Sequence, residues 1–396
     1  MSRAPLAIAI AVLLLLAYLT GIRPAFALAY ALLALFLVAW IWPHVGIRGI
    51  TLRRTLEAGS TTVGDPFEET FEIHRQGLLP APWVEVVDEG QVRGYQPGRI
   101  VSASRQPLRW RARGTYRQRG WVAFGPSRIR VREPFGLFST EARVGQLQRV
   151  LVRPRVRPLP ELLLPSAHYE GAAHRSGHGA DYPPETTGVR PYQPGDSYGR
   201  IHWPLTQKHG ELMSRTFEQP VTADLWIVLD LDETAHVGSG EESTLEYAVT
   251  LAASVAMHVL ERGRKVGLIA NDGRATLLEP HPGAAQDQVV LDYLAVAIAD
   301  GRRRLAEAPL WDRLRRLPRR ALVVITPSPD GRWMTVAQTA RGRGGALIVF
   351  YLDASSFGAP EPDLGFHLGA DADLFIVRSG DDLSRLVRTR DALRAG

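Results

Sequence analysis

Two charge-free apolar runs, Ala4 to Ile22 and Ala25 to Trp42, constrain this chain more than any other feature. Each approaches the roughly 20 residues that an α-helix needs to cross a bilayer core. Arg23-Pro24 stands between them, and there proline ends the first helix while arginine prefers the headgroup layer. Trp40 and Trp42 close the second run, where an interfacial aromatic belt falls. A signal peptide followed by a buried helix fits less well, because no clean small-residue cleavage site follows the first run. Residues 1–46 therefore read as a transmembrane helical hairpin. Arg3 lies before it and Arg48, Arg53 and Arg54 after it, with Arg23 alone in the connection. By the positive-inside rule both ends are cytoplasmic, which gives a two-pass protein of the inner (plasma) membrane with cytoplasmic soluble domains.

A chain of 396 residues is too long for one ordinary domain. The formal net charge of +6 is carried by arginine, since Lys208 and Lys265 are the only lysines. The absence of cysteine excludes disulfides, thiolate metal sites and cysteine nucleophiles. Residues 47–165 alternate short apolar runs, such as Phe67 to Ile73 and Trp83 to Val87, with Gly/Pro punctuation, which predicts a small antiparallel β-sandwich. Period two puts Arg109, Arg111 and Arg113 on one strand face, and Arg128, Arg130 and Arg132 on another. Such faces are either solvated or a cationic surface laid on anionic headgroups. Residues 166–220 are rich in Gly and Pro and read as a linking loop.

From 221 to 396 the texture becomes α/β. Leu225 to Leu229 is a continuous apolar run, as a strand covered on both faces requires. Ser243 and Glu246 form a capping box before a helix through Leu260, with Gly263 as its stop. Asn271-Asp272-Gly273 between Val266–Ala270 and Ala275–Leu278 is a hairpin signal. A second helix spans about Gln286 to Ala299, strands follow at 321–325, 346–352 and 374–377, and a last helix runs from Asp381 to about Arg394. This order predicts a mostly parallel, Rossmann-type sheet with one antiparallel edge strand.

The segment Gly188-Val-Arg190-Pro-Tyr192-Gln-Pro194-Gly195-Asp196-Ser-Tyr-Gly-Arg200-Ile201-His202-Trp203, continuing through Gly210-Glu-Leu212-Met to Phe217-Glu218, resembles the signature of domain-of-unknown-function family 58. Glu133-Pro134-Phe135 followed by Gly136-Leu137-Phe138 is similar to that family's β-domain. The resemblance implies a β-sandwich, a signature loop and a C-terminal von Willebrand factor A-like domain. It also implies a MoxR-type AAA+ ATPase as partner, sometimes with a transglutaminase-like membrane protein, and no established enzymatic activity. The chain departs from the pattern at Pro191 and Pro204, where an acidic residue and a lysine are common. Physically, Pro-Gly-Asp makes a tight turn whose Asp196 carboxylate suits Arg190 or Arg200. Trp203 and Phe217 are expected to bury large areas and anchor the loop. These residues either brace the α/β domain or present a partner-binding surface.

Von Willebrand A domains often hold a divalent cation between hard oxygen donors at the top of the sheet. The corresponding first loop here supplies Asp230, Asp232 and Thr234, but the second fails, for no serine or threonine occurs between Leu277 and Ile325. Asp330, in the third loop, is displaced from the strand end. A complete magnesium site is therefore not expected, and a metal-dependent adhesion module using Asp230 and Asp232 is the alternative reading. His174 and His178 have helical spacing for zinc, but their Gly/Ser/Pro context argues against a helix. No Walker loop or nucleophile elbow is present, so no catalytic residue or cofactor is assigned. The arginine-rich strands lack the stacking aromatics of a nucleic-acid module. The expected function is a membrane-tethered scaffold in envelope or complex assembly.

Overall fold

The computed structural model describes residues 3–57, 61–76, 81–159, 186–193, 198, 201–217, 224–281, 284–316, 320–341, 345–360 and 372–386. It contains two compact units, Met1–Arg155 and Val156–Gly396.

The first unit begins with helices α1 (Arg3–Thr20) and α2 (Arg23–Gly46), which pack on one another. They join through Gly21, whose φ of 67° lies in the left-handed region that stops a helix cheaply. Pro24 stands in the first turn of α2, where its missing N–H costs nothing. Among the described residues α2 is the one helix long and apolar enough to cross a membrane, the apolar stretch of α1 (Leu6–Thr20) being shorter. Buried positions on the pair include three alanines, Ala17, Ala29 and Ala39, beside Ile10, Pro43 and Gly46. Small side chains let helix backbones approach closely.

The strands of this unit are β1 (Ile50–Glu57), β2 (Pro66–Arg75), β3 (Ala81–Asp88), β4 (Arg99–Ala103), β5 (Leu108–Thr115), β6 (Gly120–Phe124), β7 (Ser127–Arg132), β8 (Ser139–Val144) and β9 (Gln148–Val152). They form antiparallel sheets ordered β1-β2-β5, β4-β3-β7-β8 and β6-β9. Period-two alternation along β2 turns Phe67, Glu69, Phe71, Ile73 and Arg75 inward. Phe71 stacks on Trp110 at 5.1 Å, and Val84, Val86, Ile129 and Val131 complete that core.

Both arginine triplets lie on outward faces beside carboxylates. Glu72 pairs with Arg109 (3.1 Å), and Glu68 pairs with Arg111 (3.2 Å) and Arg113 (2.6 Å). Glu85 pairs with Arg130 (3.3 Å) and Arg132 (3.1 Å), and Glu89 with Arg128 (3.4 Å). These faces are cross-strand ion-pair ladders and not bare cationic stripes.

One inward pair is different. Arg54 donates two hydrogen bonds to Glu69, one of them Nη2 to Oε2 at 2.8 Å, and two to Asp88 at 2.9 and 3.2 Å. Tyr95 Oη donates to Glu69 Oε2 at 2.6 Å, and the Phe71 and Phe124 rings flank the guanidinium at 5.3 and 5.4 Å. The sequence expectation places Arg54 among the positive charges that follow the apolar helices. Its guanidinium is instead committed to the interior, which leaves Arg48 and Arg53 exposed at that point.

In the second unit, β10 (Thr186–Pro191), α3 (Trp203–His209) and β11 (Met213–Phe217) precede an α/β layer. That layer comprises β12 (Asp224–Asp230), β13 (Gly238–Ser239), β14 (Glu242–Ser243), α4 (Thr244–Leu260), β15 (Val266–Asn271), β16 (Leu277–His281), α5 (Ala284–Val296), α6 (Leu310–Arg315), β17 (Arg320–Thr326), α7 (Arg332–Arg341), β18 (Leu347–Leu352) and β19 (Asp373–Val377). A six-stranded sheet runs β16-β15-β12-β17-β18-β19, parallel except for edge strand β16. Side chains of α4 cover one face with Leu251 and Val255, while Trp311 and Trp333 of α6 and α7 cover the other. Ser243 Oγ caps α4 by accepting from Glu246 N at 3.3 Å, as the capping box predicts.

The helix expected from Asp381 onward is not formed over its described part. A single 3₁₀ turn, Leu383–Arg385, stands there, because the Asp382 carboxylate accepts from Ser384 N at 3.0 Å and Ser384 Oγ at 2.8 Å. Residues beyond Leu386 lie outside the described set.

Candidate functional site

Two places in the second unit carry the residues singled out from the sequence. The first is the carboxyl edge of the parallel sheet, where open α/β sheets bind ligands. Asp230, Asn271 and Thr326 are the last residues of three adjacent strands, β12, β15 and β17. Parallel register therefore brings their side chains together. Asp230 is fully buried and accepts from Thr326 Oγ1 at 2.6 Å, Asp232 N at 3.2 Å and Asn271 Nδ2 at 3.4 Å. Burial pushes the Asp230 carboxyl above its ordinary range, against the opposing pull of the Thr326 hydroxyl.

The neighbouring groups are also engaged. Asp232 Oδ1 accepts from Thr234 N at 2.9 Å and Thr234 Oγ1 at 2.8 Å, forming a turn. His236 bonds the Asp230 carbonyl through Nε2 (2.8 Å) and Thr244 Oγ1 through Nδ1 (3.0 Å). Gly301 closes the cluster, and a Cβ there would stand 2.1 Å from Asn271 O. Only a residue without a side chain fits so near the backbone.

These groups suit each other better than a cation. Asp230 receives donors from a hydroxyl, an amide side chain and a backbone N–H, whereas magnesium requires about six oxygen ligands with free lone pairs. Asp330 does not join the cluster through its carboxylate. Both of its oxygens accept from Arg332, at 3.0 and 2.6 Å, and Arg304 lies 3.8 Å away. Among the described residues no group of three or more His, Asp or Glu side chains is disposed to hold a metal. Asn271 and Thr326 are partners of Asp230 that the loop motifs do not indicate. The available signal was positional, because each polar residue terminates an apolar strand.

The second place is the signature segment. It forms a hairpin in which β10 pairs antiparallel with β11, from Thr186↔Phe217 to Pro191↔Met213. His202 caps α3 through Nδ1, which accepts from Leu205 N at 3.2 Å, and Gly210 ends α3 at φ 75°. Trp203 does not bury as expected: it is 64% exposed, and Tyr198 and Leu212 are 75% and 42% exposed. Ile201, 3% exposed and bridged to Ser214, holds the element instead. The seven-residue helix buries none of its residues, and the buried positions beside it are Ile201 and its bridge partner Ser214. Tyr192 stacks on Tyr198 with ring centres 5.9 Å apart. Arg190 Nη1 donates to Pro191 O at 3.2 Å. Phe217 is placed by its backbone, in register with Thr186. Pro194, Gly195, Asp196, Arg200 and Glu218 lie outside the described residues, as do His168, His174 and His178.

Residues 188–350 match the model of a family described as "Protein of unknown function DUF58". The match takes in the signature segment and most of the α/β layer, a shorter stretch than the near-whole-chain resemblance expected from the motifs. The chain is 22% identical over 283 residues to the uncharacterized protein YeaD of Bacillus subtilis, covering 69% of each. It is 29% identical over 196 residues to the uncharacterized proteins Mb1516 of Mycobacterium bovis and Rv1480 of Mycobacterium tuberculosis. That alignment covers 48% of this chain and spans 61% of the mycobacterial relatives' length. Spo0M, a sporulation control protein of Bacillus subtilis, aligns over 27% of this chain and 50% of its own, at 10% identity and a TM-score of 0.17, too low to carry any argument.

Proposed function

We propose that this chain is a membrane-tethered interaction protein whose α/β unit is a von Willebrand A-like binding module and whose partner is a AAA+ ATPase of MoxR type. The premise is the family match over residues 188–350, together with the apolar helix Arg23–Gly46. In this reading α1 and α2 cross the inner membrane as a hairpin, and both soluble units work on the cytoplasmic side. The partner contact supports assembly of envelope complexes.

The observation that carries the proposal is the outward display of Trp203, Tyr198 and Leu212 on the signature hairpin. Large aromatics left in water on a small, internally braced element are typical anchors of protein interfaces. The strand-end cluster supports a binding role over metal-dependent adhesion, because its carboxylates are satisfied by internal donors.

The test is co-purification of tagged full chain from detergent-solubilised membranes. The wild type should recover a AAA+ ATPase, and the Trp203→Ala/Tyr198→Ala double variant should recover about tenfold less or lower still. Equal recovery by both proteins, or no ATPase with the wild type, counts against the proposal.

A further inference from the structure

We infer that the connection between β7 and β8, residues 133–138, is a wedge that enters the bilayer beside α2, with Phe135 as its lipid-facing tip. The inference rests on α2 crossing a membrane. Its starting point is how firmly the sandwich grips the end of that helix. Arg75, on β2, donates from Nη2 to Val45 O at 2.8 Å and from Nε to Arg48 O at 3.3 Å, so a buried guanidinium caps the last turn. A Cβ on Gly46 would stand 3.2 Å from Val131 Cγ1, so β7 lies directly against the helix end. Further back along α2, the Phe36 ring meets the Phe138 ring edge-on at 5.2 Å.

That last contact sets a depth. Phe36 lies ten residues before Gly46, about 15 Å along the helix axis at the usual rise per residue. It also lies six residues inside the charge-free run that ends at Trp42, about 9 Å. When α2 spans the hydrocarbon core, Phe138 and its neighbours stand below the headgroup layer. Pro134 and Phe135 are exposed there, Phe135 at 56%.

The loop's backbone donors also meet the chemical condition for leaving water. Irregular backbone cannot enter hydrocarbon unless its polar groups are satisfied internally. Pro134 has no N–H. The Glu133 carboxylate accepts from Phe135 N (2.5 Å), Leu137 N and Phe138 N (3.0 Å), and the Glu133 carbonyl accepts from Gly136 N at 3.2 Å. Every amide hydrogen from residue 134 to 138 is thus bonded to one residue, itself 3% exposed. This gives the Glu-Pro-Phe and Gly-Leu-Phe motif a physical purpose: acid as hub, proline without a donor, glycine for the φ of 70° at Gly136, and phenylalanines for lipid and helix.

The chain holds no cysteine, so single labels are direct. Full-length Phe135→Cys and Pro134→Cys proteins, each carrying an environment-sensitive fluorophore, are reconstituted into phosphatidylcholine/phosphatidylglycerol vesicles. Some of the lipids carry a nitroxide near the top of the acyl chain. Val38→Cys, on an exposed face of α2, reports helix insertion. Leu147→Cys is the control, for Leu147 is equally apolar and 50% exposed but follows the far end of β8, past the Ser127↔Val144 pair. We expect at least about twofold quenching at positions 135 and 134, with none at 147. Quenching at 38 with positions 135 and 134 no more quenched than 147 overturns the wedge and leaves the membrane helix standing. An unquenched label at 38 overturns the membrane reading, and the wedge falls with it.

Discussion

Replacing Arg54 with methionine will destabilise the sandwich unit by about 3–5 kcal/mol, the usual cost of removing one partner from a buried ion pair. Glu69 is fully buried and Asp88 nearly so, and Arg54 is the cation that bonds both. Without it two carboxylates lose their counter-charge in an interior that cannot solvate them, and the Tyr95 hydroxyl to Glu69 is inadequate compensation. Burial and the adjacent Glu69 carboxylate push the Tyr95 phenol far above its ordinary value, so it stays a neutral donor, and no ionisation of a phenol could replace the lost cation. The contrast is Arg113, which is largely exposed on the outer ladder, and whose alanine variant should cost about 1 kcal/mol or less. Chemical denaturation of the two variants separates these cases. Equal losses would mean that the inner network is not the anchor described.

The second large effect is at the sheet edge. Thr326→Val removes the shortest hydrogen bond to the buried Asp230 and also the acceptor of Ser328 N, at 2.9 Å. Leaving a buried polar group without its hydrogen-bond partner costs about 1–3 kcal/mol, so a loss of that order is expected. The sign with pH follows from the raised carboxyl. The folded state holds the Asp230 proton more tightly than the unfolded chain, whose value is near 3.8, so the stability this adds is present at low pH and lost as pH rises through the folded value. Removing Thr326 raises the carboxyl further, so the variant's deficit should shrink as pH falls toward about 4. Magnesium should move the melting temperature of either protein by about 1 °C or less, since no ligand-linked stabilisation is expected. A rise of several degrees in the wild type, lost in Asp230→Ala, would restore the metal-dependent reading.

Much of this fold could be read from residue order. The capping box at Ser243, the hairpin before Leu277 and the continuous apolar strands specified the α/β layer, because each is a local rule that tertiary packing had no reason to override. Period two placed both arginine triplets outward but could not reveal their partners. Glu68, Glu72, Glu85 and Glu89 come opposite them only once strand register is known. Glu69, which no motif singles out, lies between Phe67 and Phe71 on the inward face of β2, and its cation, Arg54, is brought to it by the β1–β2 pairing.

At the sheet edge, sequence motifs pointed to Asp230, Asp232 and Thr234. Asn271 looked like part of a turn and Thr326 like a loop residue, and only the order β15-β12-β17 makes them neighbours of Asp230. Trp203 departs from the expectation because aromatic size suggests burial, whereas the buried positions of this small element, among the described residues, are Ile201 and Ser214. Under the proposed reading, the exposed tryptophan serves binding and not packing.

The most direct measurement is photocrosslinking from that tryptophan. Full-length protein carrying a photoreactive phenylalanine at position 203 is irradiated in membranes, beside a control with the same residue at Ile298, which is 61% exposed in the second unit. Adducts are then identified by mass spectrometry. A AAA+ ATPase joined at position 203 and absent at 298 is the predicted result. Irradiation that yields no ATPase adduct at 203, or the same adducts at both positions, would contradict the claim that the signature hairpin is the partner-binding surface.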